Sequence, residues 1–120
     1  MFFSRGKLTG AKRIYSMDNG LTERDVNTIT GIFLKFPQIT RVVVFGSRAK
    51  GNYKPGSDID LAIMNEGVTD DIIRKVHSEF ESSNLPYFVD IINYPTLNHK
   101  ELKEHIDRVG IVFYSVPFSP

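Results

Sequence analysis

Residues 45–61 read FGSRAKGNYKPGSDIDL, and they contain the strongest functional pattern in the chain. Asp58 and Asp60 stand two residues apart at the start of an apolar run, directly after a basic segment rich in glycine. Because alternate residues of a β-strand point to the same face, a strand here places both carboxylates side by side. Neighbouring carboxylates repel each other unless a cation lies between them. The pair therefore predicts a bound cation.

A third acid, Asp90, interrupts the apolar run YFVDII at residues 87–92. A charge inside an apolar strand needs a partner, and Asp90 joins Asp58 and Asp60 if the two strands are neighbours. Hard oxygen ligands favour Mg²⁺, which binds one or two carboxylates together with substrate phosphates. Three acids would hold a pair of Mg²⁺ ions roughly 4 Å apart, as displacement at phosphorus requires. The alternative is that Asp-x-Asp is a solvated strand edge and that Asp90 pairs with a lysine.

Gly46 and Ser47 follow an apolar strand and open a helical turn, where free backbone N–H groups favour phosphate. A glycine also lets a phosphate approach the backbone closely. Arg48, Lys50 and Lys54 lie within a few residues and would neutralise a triphosphate. The segment matches neither the Walker pattern nor the dinucleotide-binding pattern. An ordinary Gly-Ser turn with solvated lysines remains the alternative for Lys50 and Lys54.

Hydrophobic periodicity predicts alternating helices and strands along the chain. Helices are predicted over residues 23–35, 47–50 and 69–82. A fourth helix is predicted to run to about Arg108, with Asn98 or Thr96 as its N-cap. Strands are predicted over residues 41–45, 58–63, 87–92 and 111–114. Thr22 and Asp25 are expected to form a near-capping box at the first helix. The order predicts an α/β (α+β) fold, a mixed sheet of about four strands with helices packed on it.

The chain has 120 residues, of which 41% are hydrophobic and 24% charged, which indicates one small globular domain. It contains no cysteine, which excludes disulfides and thiolate metal sites. No apolar run is long enough to span a membrane, and the N-terminus lacks the apolar segment of a secretory signal. We therefore expect a cytoplasmic protein. The net charge of +1 is too small to indicate direct nucleic-acid binding.

The two ends of the chain are expected to differ from the middle. We expect a flexible lead-in over residues 1–20, a folded domain over 21–114 and a loose tail over 115–120. The C-terminal segment is apolar, with Phe113 and Tyr114 at its start. Such aromatic residues are common at protein interfaces, but they would equally well finish the sheet.

The combined pattern is Gly46-Ser47, ten further residues, then Asp58-x-Asp60, with apolar strands on both sides. It resembles nucleotidyltransferases of the DNA polymerase β type. The segments G-S-R-A-x-G and G-S-D-I-D-L are most similar to the minimal nucleotidyltransferases. The resemblance implies the polymerase β-type fold, nucleotide binding at Gly46 and Ser47, and three catalytic, metal-binding carboxylates at Asp58, Asp60 and Asp90.

The resemblance covers about residues 21–114 and implies Mg²⁺-dependent transfer of a nucleoside monophosphate, AMP from ATP, to a hydroxyl of a partner protein. Similar minimal nucleotidyltransferases are paired with a small all-helical HEPN protein, an RNase-type toxin that they silence by attaching AMP to a tyrosine. Two alternatives stay open. The chain could act as an antitoxin by complex formation alone, with a weak or inactive site. It could also modify a small molecule such as an antibiotic, although residues 21–114 leave no room for an additional acceptor-binding domain.

Overall fold

A computed structural model describes residues 12–13 and 19–116 of the chain. Within these ranges the strands are β1 (Lys12–Arg13), β2 (Arg41–Phe45), β3 (Ile59–Ile63), β4 (Val89–Asn93) and β5 (Ile111–Ser115). The helices are α1 (Glu23–Leu34), α2 (Gly46–Lys50), α3 (Asp70–Glu81) and α4 (Lys100–Val109), and a 3₁₀ turn covers Tyr94–Thr96. The predicted alternation of helices and strands is confirmed.

The strands form one mixed sheet in the order β1-β5-β2-β3-β4. The β3–β4 pair is parallel, and α3 makes the crossover between these two strands. The other pairs are antiparallel. Within the part of the chain that the structure describes, β4 pairs with β3 alone and is an edge strand. The predicted mixed sheet with helices packed on it is therefore confirmed.

Both predicted flexible ends contribute to the sheet. Lys12 and Arg13 pair with Ser115 and Tyr114 of β5, although they fall within the predicted lead-in. Ser115 belongs to β5 and does not begin a loose tail, and the N–H of the next residue, Val116, donates to the carbonyl of Thr40 at 2.9 Å. β5 gives Lys12 and Arg13 backbone partners at the edge of the sheet. The other residues of the predicted lead-in up to residue 18, and residues 117–120, lie outside the described ranges.

The helix caps show one prediction confirmed and one wrong. The Asp25 N–H donates to the Thr22 hydroxyl at 3.0 Å, and the Thr22 N–H donates to the Asp25 carboxylate at 3.1 Å. This is the predicted capping box of α1. At α4 the cap is neither Thr96 nor Asn98. The Nδ1 atom of His99 accepts the N–H of Leu102 at 3.1 Å, so a ring nitrogen takes the usual role of a hydroxyl or amide.

Strand alternation divides the core into two layers. One face of the sheet packs against α1 and α3 and carries most of the buried apolar residues, among them Phe33, Leu61 and Ile91. The other face packs against α4 through a smaller cluster of Val43, Phe45, Ala62 and Ile106. No helix in the described ranges combines the length and apolarity needed to cross a bilayer.

The aromatic residues of β5 finish the sheet. Phe113 is fully buried, and Tyr114 is 1% exposed. Their rings belong to the core cluster on the α1/α3 face, and burial raises the pKa of the Tyr114 phenol. Neither side chain is therefore available as an interface, which was the other possibility left open by the sequence.

Candidate active site

The three predicted carboxylates come together at one end of the α4 face of the sheet. Asp60 of β3 lies directly beside Asp90 of β4 in the parallel register. Asp58 immediately precedes β3 and has the same parity as Asp60, so both point to the same side. Asp60 also lies opposite Phe45, which contacts the α4 cluster. Asp58 is exposed, whereas Asp60 and Asp90 are half-buried.

The pKa of Asp60 responds to its burial and to the two neighbouring carboxylates. Burial raises the pKa of Asp60 from 3.8 to about 6, and repulsion from Asp90 and Asp58 adds to the shift. The positive charge of Arg48 acts in the opposite direction. An acid with such a pKa is held in an unfavourable charged state at neutral pH. A cation bound beside Asp60 would remove this cost.

Gly46 is the first residue of α2, directly after β2, and its backbone lies close to the Asp60 side chain. Its φ is +74°, in the left-handed region that favours glycine. A Cβ atom at this position would collide with the Oδ2 atom of Asp60. The absence of a side chain therefore allows the start of α2 and the carboxylate to lie in contact. The following residue, Ser47, is half-buried in the first turn of α2.

The sequence suggested that Arg48 contacts phosphate, but in the structure its guanidinium contacts other residues of the protein. It is 2% exposed. Its Nη1 donates to the Asn19 carbonyl at 2.8 Å, and its Nη2 and Nε donate to the Ser57 carbonyl at 2.8 and 3.3 Å. The guanidinium carbon also lies 5.1 Å from the centre of the Tyr53 ring and 4.7 Å from that of Tyr87. Arg48 is thus enclosed beside the carboxylates and is not directed into solvent.

Lys50 and Lys54 are both exposed. Lys50 is the last residue of α2, and Lys54 opens the turn that leads to β3. The backbone N–H of Lys54 donates to the Ser57 hydroxyl at 2.8 Å, which fixes the turn but not the lysine side chain. Both ammonium groups therefore remain candidates for contacts with phosphate.

The oxygen-rich site fits a hard divalent cation that arrives with a phosphate ligand. Within residues 12–13 and 19–116, no three side chains of His, Cys, Asp or Glu form a ready-made metal cage. Mg²⁺ seldom uses such a cage, because it keeps waters and combines one or two carboxylates with substrate phosphates. Asp60 and Asp90 lie side by side and supply two carboxylates, and the exposed Asp58 supplies a third. These three residues would hold the ion.

Sequence reasoning missed Phe88, whose side chain is 65% exposed. The Ile59 N–H donates to the Phe88 carbonyl at 2.9 Å, so strand pairing extends one step beyond β4 and puts Phe88 beside Asp58. Because Val89 and Ile91 belong to the α1/α3 cluster, Phe88 and Asp90 face the other way. The two-residue spacing of Phe88 and Asp90 in YFVD (residues 87–90) was the sequence signal that both side chains share a face of the strand. An apolar ring therefore borders the three carboxylates.

One curated protein matches part of this chain. A curated relative from Haemophilus influenzae (strain ATCC 51907 / DSM 11121 / KW20 / Rd), named "Probable protein adenylyltransferase MntA", is 39% identical over 72 residues. The aligned region is 59% of this chain, and the chain spans 62% of the length of that relative.

Solved structures show the same fold. A crystal structure of a toxin–antitoxin with AMP-PNP aligns with a TM-score of 0.61 and 23% identity, over 73% of this chain and 71% of the other. A crystal structure of the toxin–antitoxin MntA-HepT aligns with a TM-score of 0.56 and 20% identity, over 76% of this chain and 70% of the other. The family model "Polymerase beta, Nucleotidyltransferase" matches residues 27–117, and these contain Gly46, Ser47 and all three carboxylates. The chain therefore belongs to the polymerase β-type nucleotidyltransferase family.

Proposed function

We propose that this chain transfers AMP from ATP, with Mg²⁺, to a hydroxyl group of a partner protein. The observation that carries the proposal is the pairing of Asp60 with Asp90 across parallel strands, with Gly46 in contact with the same carboxylate. The relative named as a protein adenylyltransferase supports both the nucleotide and the kind of acceptor.

In this proposal the triphosphate lies against Gly46 and Ser47, and Lys50 and Lys54 neutralise its outer charge. The acceptor oxygen attacks the α-phosphorus, a new O–P bond forms, and the bond from that phosphorus to the bridging oxygen breaks, so pyrophosphate leaves. Two bound Mg²⁺ ions would supply charge stabilisation to the attacking and leaving oxygens. The two ions would be held by the carboxylates of Asp58, Asp60 and Asp90.

The order of the elements supports an acceptor that enters from the β4 side. Attacking and leaving oxygens lie roughly in line at the reacting phosphorus. In the sheet, Gly46 follows β2, Asp60 belongs to β3 with Asp58 just before that strand, and Asp90 lies on β4. With pyrophosphate at the β2 side, the hydroxyl would approach past Asp90, whose carboxylate would take the hydroxyl proton in this proposal. The exposed ring of Phe88 lies on the same side and suits contact with a protein.

The partner is the second part of the proposal. Two structural neighbours are crystal structures of toxin–antitoxin complexes, one of which names HepT as the second component. By analogy, the chain would act in the cytoplasm as the antitoxin of a small HEPN-type RNase toxin and silence it by adding AMP. A binding antitoxin without catalysis and a transferase acting on an antibiotic are the alternatives that the experiment must separate.

The test is intact-protein mass spectrometry on the chain mixed with a HEPN-type partner protein, with ATP and Mg²⁺. The double variant Asp58→Asn/Asp60→Asn removes two carboxylates from the site. We expect an AMP-sized mass increase on the partner that is roughly 1000-fold slower with the variant, the scale of losing a principal electrostatic stabiliser. The matched control is Asp70→Asn/Asp71→Asn, which removes two exposed carboxylates from the first turn of α3.

Three outcomes decide between the candidate functions. Transfer that depends on Asp58 and Asp60 but not on Asp70 and Asp71 supports the proposal. A stable complex that blocks the partner without any mass increase favours action by binding alone. Turnover of an antibiotic in the absence of the partner favours the small-molecule alternative.

A further inference from the structure

We propose that Arg48 is a positioning residue that fixes the phosphate-binding corner and the metal-binding strand relative to each other. Its side chain connects α2, which carries Gly46 and Ser47, to the turn that delivers Asp58. The inference rests on the proposed function, because that function assigns phosphate binding to Gly46 and Ser47 and metal binding to the carboxylates that Arg48 would position. It assigns Arg48 a role toward the protein backbone in place of the nucleotide contact that the sequence suggests.

The principal link is to the Ser57 carbonyl, which belongs to the residue immediately before Asp58. Two nitrogens of Arg48 donate to this one oxygen, at 2.8 and 3.3 Å. The turn itself is closed by two hydrogen bonds between Lys54 and Ser57, at 3.0 and 2.8 Å. Arg48 therefore holds the end of a defined turn, and the position of Asp58 follows from it.

Two further contacts extend the connection. Nη1 of Arg48 donates to the Asn19 carbonyl at 2.8 Å, just before α1. On another side, the guanidinium carbon lies 4.7 Å from the centre of the Tyr87 ring, and Tyr87 leads into the strand of Asp90. One side chain thus touches the segments that precede two of the three carboxylates while being anchored in the helix of the phosphate corner.

The burial of this charge is the reason to assign it a specific role. Arg48 is only 2% exposed, and burying a cation is costly unless it is well hydrogen-bonded. In the described ranges its hydrogen bonds go to backbone carbonyls, and the three salt bridges found there involve other residues. An apolar side chain would fill the space without this cost. A planar guanidinium, however, can reach Asn19 and Ser57 at once, which a lysine ammonium on a flexible stem does poorly.

The experiment compares Arg48→Met and Arg48→Lys with a control of similar instability elsewhere. Val76→Ala removes two methyl groups from a fully buried position on α3, in the opposite layer of the molecule. Hydrogen exchange of the nucleotide-free chain is followed by mass spectrometry for residues 45–61 and for α3. Binding of ATP with Mg²⁺ is measured by calorimetry at a temperature where all variants are folded.

We expect exchange over residues 54–60 to become at least tenfold faster in Arg48→Met while α3 keeps its protection. Binding of ATP with Mg²⁺ should weaken about tenfold, and Arg48→Lys should fall between this variant and the wild type. Val76→Ala should loosen α3 and leave both the turn and nucleotide binding within twofold of the wild type.

The inference is overturned if Arg48→Met and Val76→Ala, at equal loss of melting temperature, give the same exchange pattern. It is also overturned if Arg48→Met speeds exchange uniformly over the whole chain, because the residue is then a general fold anchor. Failure of the proposed function would appear separately, as a wild-type chain that does not bind ATP with Mg²⁺. The exchange measurement needs no nucleotide and still decides the role of Arg48 in that case.

Discussion

The two faces of the sheet differ in what covers them. The α1/α3 face is closed by apolar side chains along the length of β2, β3 and β4. The α4 face is closed only at one end, and its other end presents three carboxylates, two of them half-buried, and an exposed phenylalanine. The larger apolar cluster and the proposed site therefore lie on opposite faces of one sheet. Substitutions on the two faces should therefore have separable effects.

The largest effect is expected on the closed face. Phe33 is fully buried, and its ring centre lies 5.6 Å from that of Phe80 and 5.4 Å from that of Tyr114. Phe33→Ala should lower the free energy of unfolding by about 4 kcal/mol, because it removes apolar contacts and leaves a cavity. Urea denaturation measures this loss. AMP transfer per folded molecule should not change.

Phe33→Leu is a milder variant that allows the same test if Phe33→Ala does not fold. It should cost about 1 kcal/mol, since most of the buried volume is kept. If transfer falls in parallel with stability while the chain is still folded, the two faces are coupled and the comparison fails.

The second prediction tests the contact at the open end. Gly46→Ala should slow AMP transfer about 100-fold, the scale of displacing an oriented electrostatic group, because the new Cβ collides with the Asp60 carboxylate. Gly51→Ala is the matched control. Gly51 has a φ of +84°, close to the +74° of Gly46, but a Cβ there meets nothing within 4 Å.

Both glycine variants should lose about 1–2 kcal/mol of stability from the left-handed backbone alone. The difference between them in transfer rate isolates the contact with Asp60. Equal rates for the two variants would show that only backbone strain matters.

The smallest effect concerns the charge of Asp60 without nucleotide or metal. Its pKa of about 6 lies above the 3.8 of the unfolded chain, so folding favours the protonated form. The stabilisation that the proton provides is fully present below pH 3.8 and is lost as the pH rises through 6. Asp60→Asn should therefore raise stability by about 1 kcal/mol at pH 7.5, a value reduced because Asp60 is half-exposed.

Denaturation at pH 7.5 and at pH 4, both with chelator, checks this prediction. The advantage of Asp60→Asn should disappear at pH 4, where the wild-type carboxyl is protonated as well. Added Mg²⁺ should reduce the advantage at pH 7.5, because a bound cation relieves the repulsion between the wild-type carboxylates. A gain of equal size at both pH values would rule out charge as its cause.

The sequence was informative wherever a local rule decides the structure. Period-two alternation was enough to predict that Asp58 and Asp60 share a face, and the apolar run around Asp90 was enough to predict a strand there. The capping box of Thr22 and Asp25 was likewise readable, because it depends on a fixed spacing. These features need no knowledge of which strands are neighbours.

Features that depend on distant parts of the chain were not predictable. Arg48 was expected at a phosphate because it lies within a few residues of Gly46 and Ser47. Its partners Asn19 and Tyr87 are far away in sequence. The pairing of Lys12 and Arg13 with β5 joins two ends of the chain, and no local signal marks it. The exposure of Phe88 depends on β4 being the edge of the sheet.

Among the described residues β4 lies at the edge of the sheet, and this position has a consequence for aggregation. An open strand edge offers unpaired backbone groups to any other extended chain. Here the strand is only 5 residues long, and Pro86 and Pro95 stand on either side of it. Proline lacks an N–H to donate, so a foreign strand could not extend its pairing far in either direction. The protein can thus leave this edge accessible beside its site while offering little template for fibril growth.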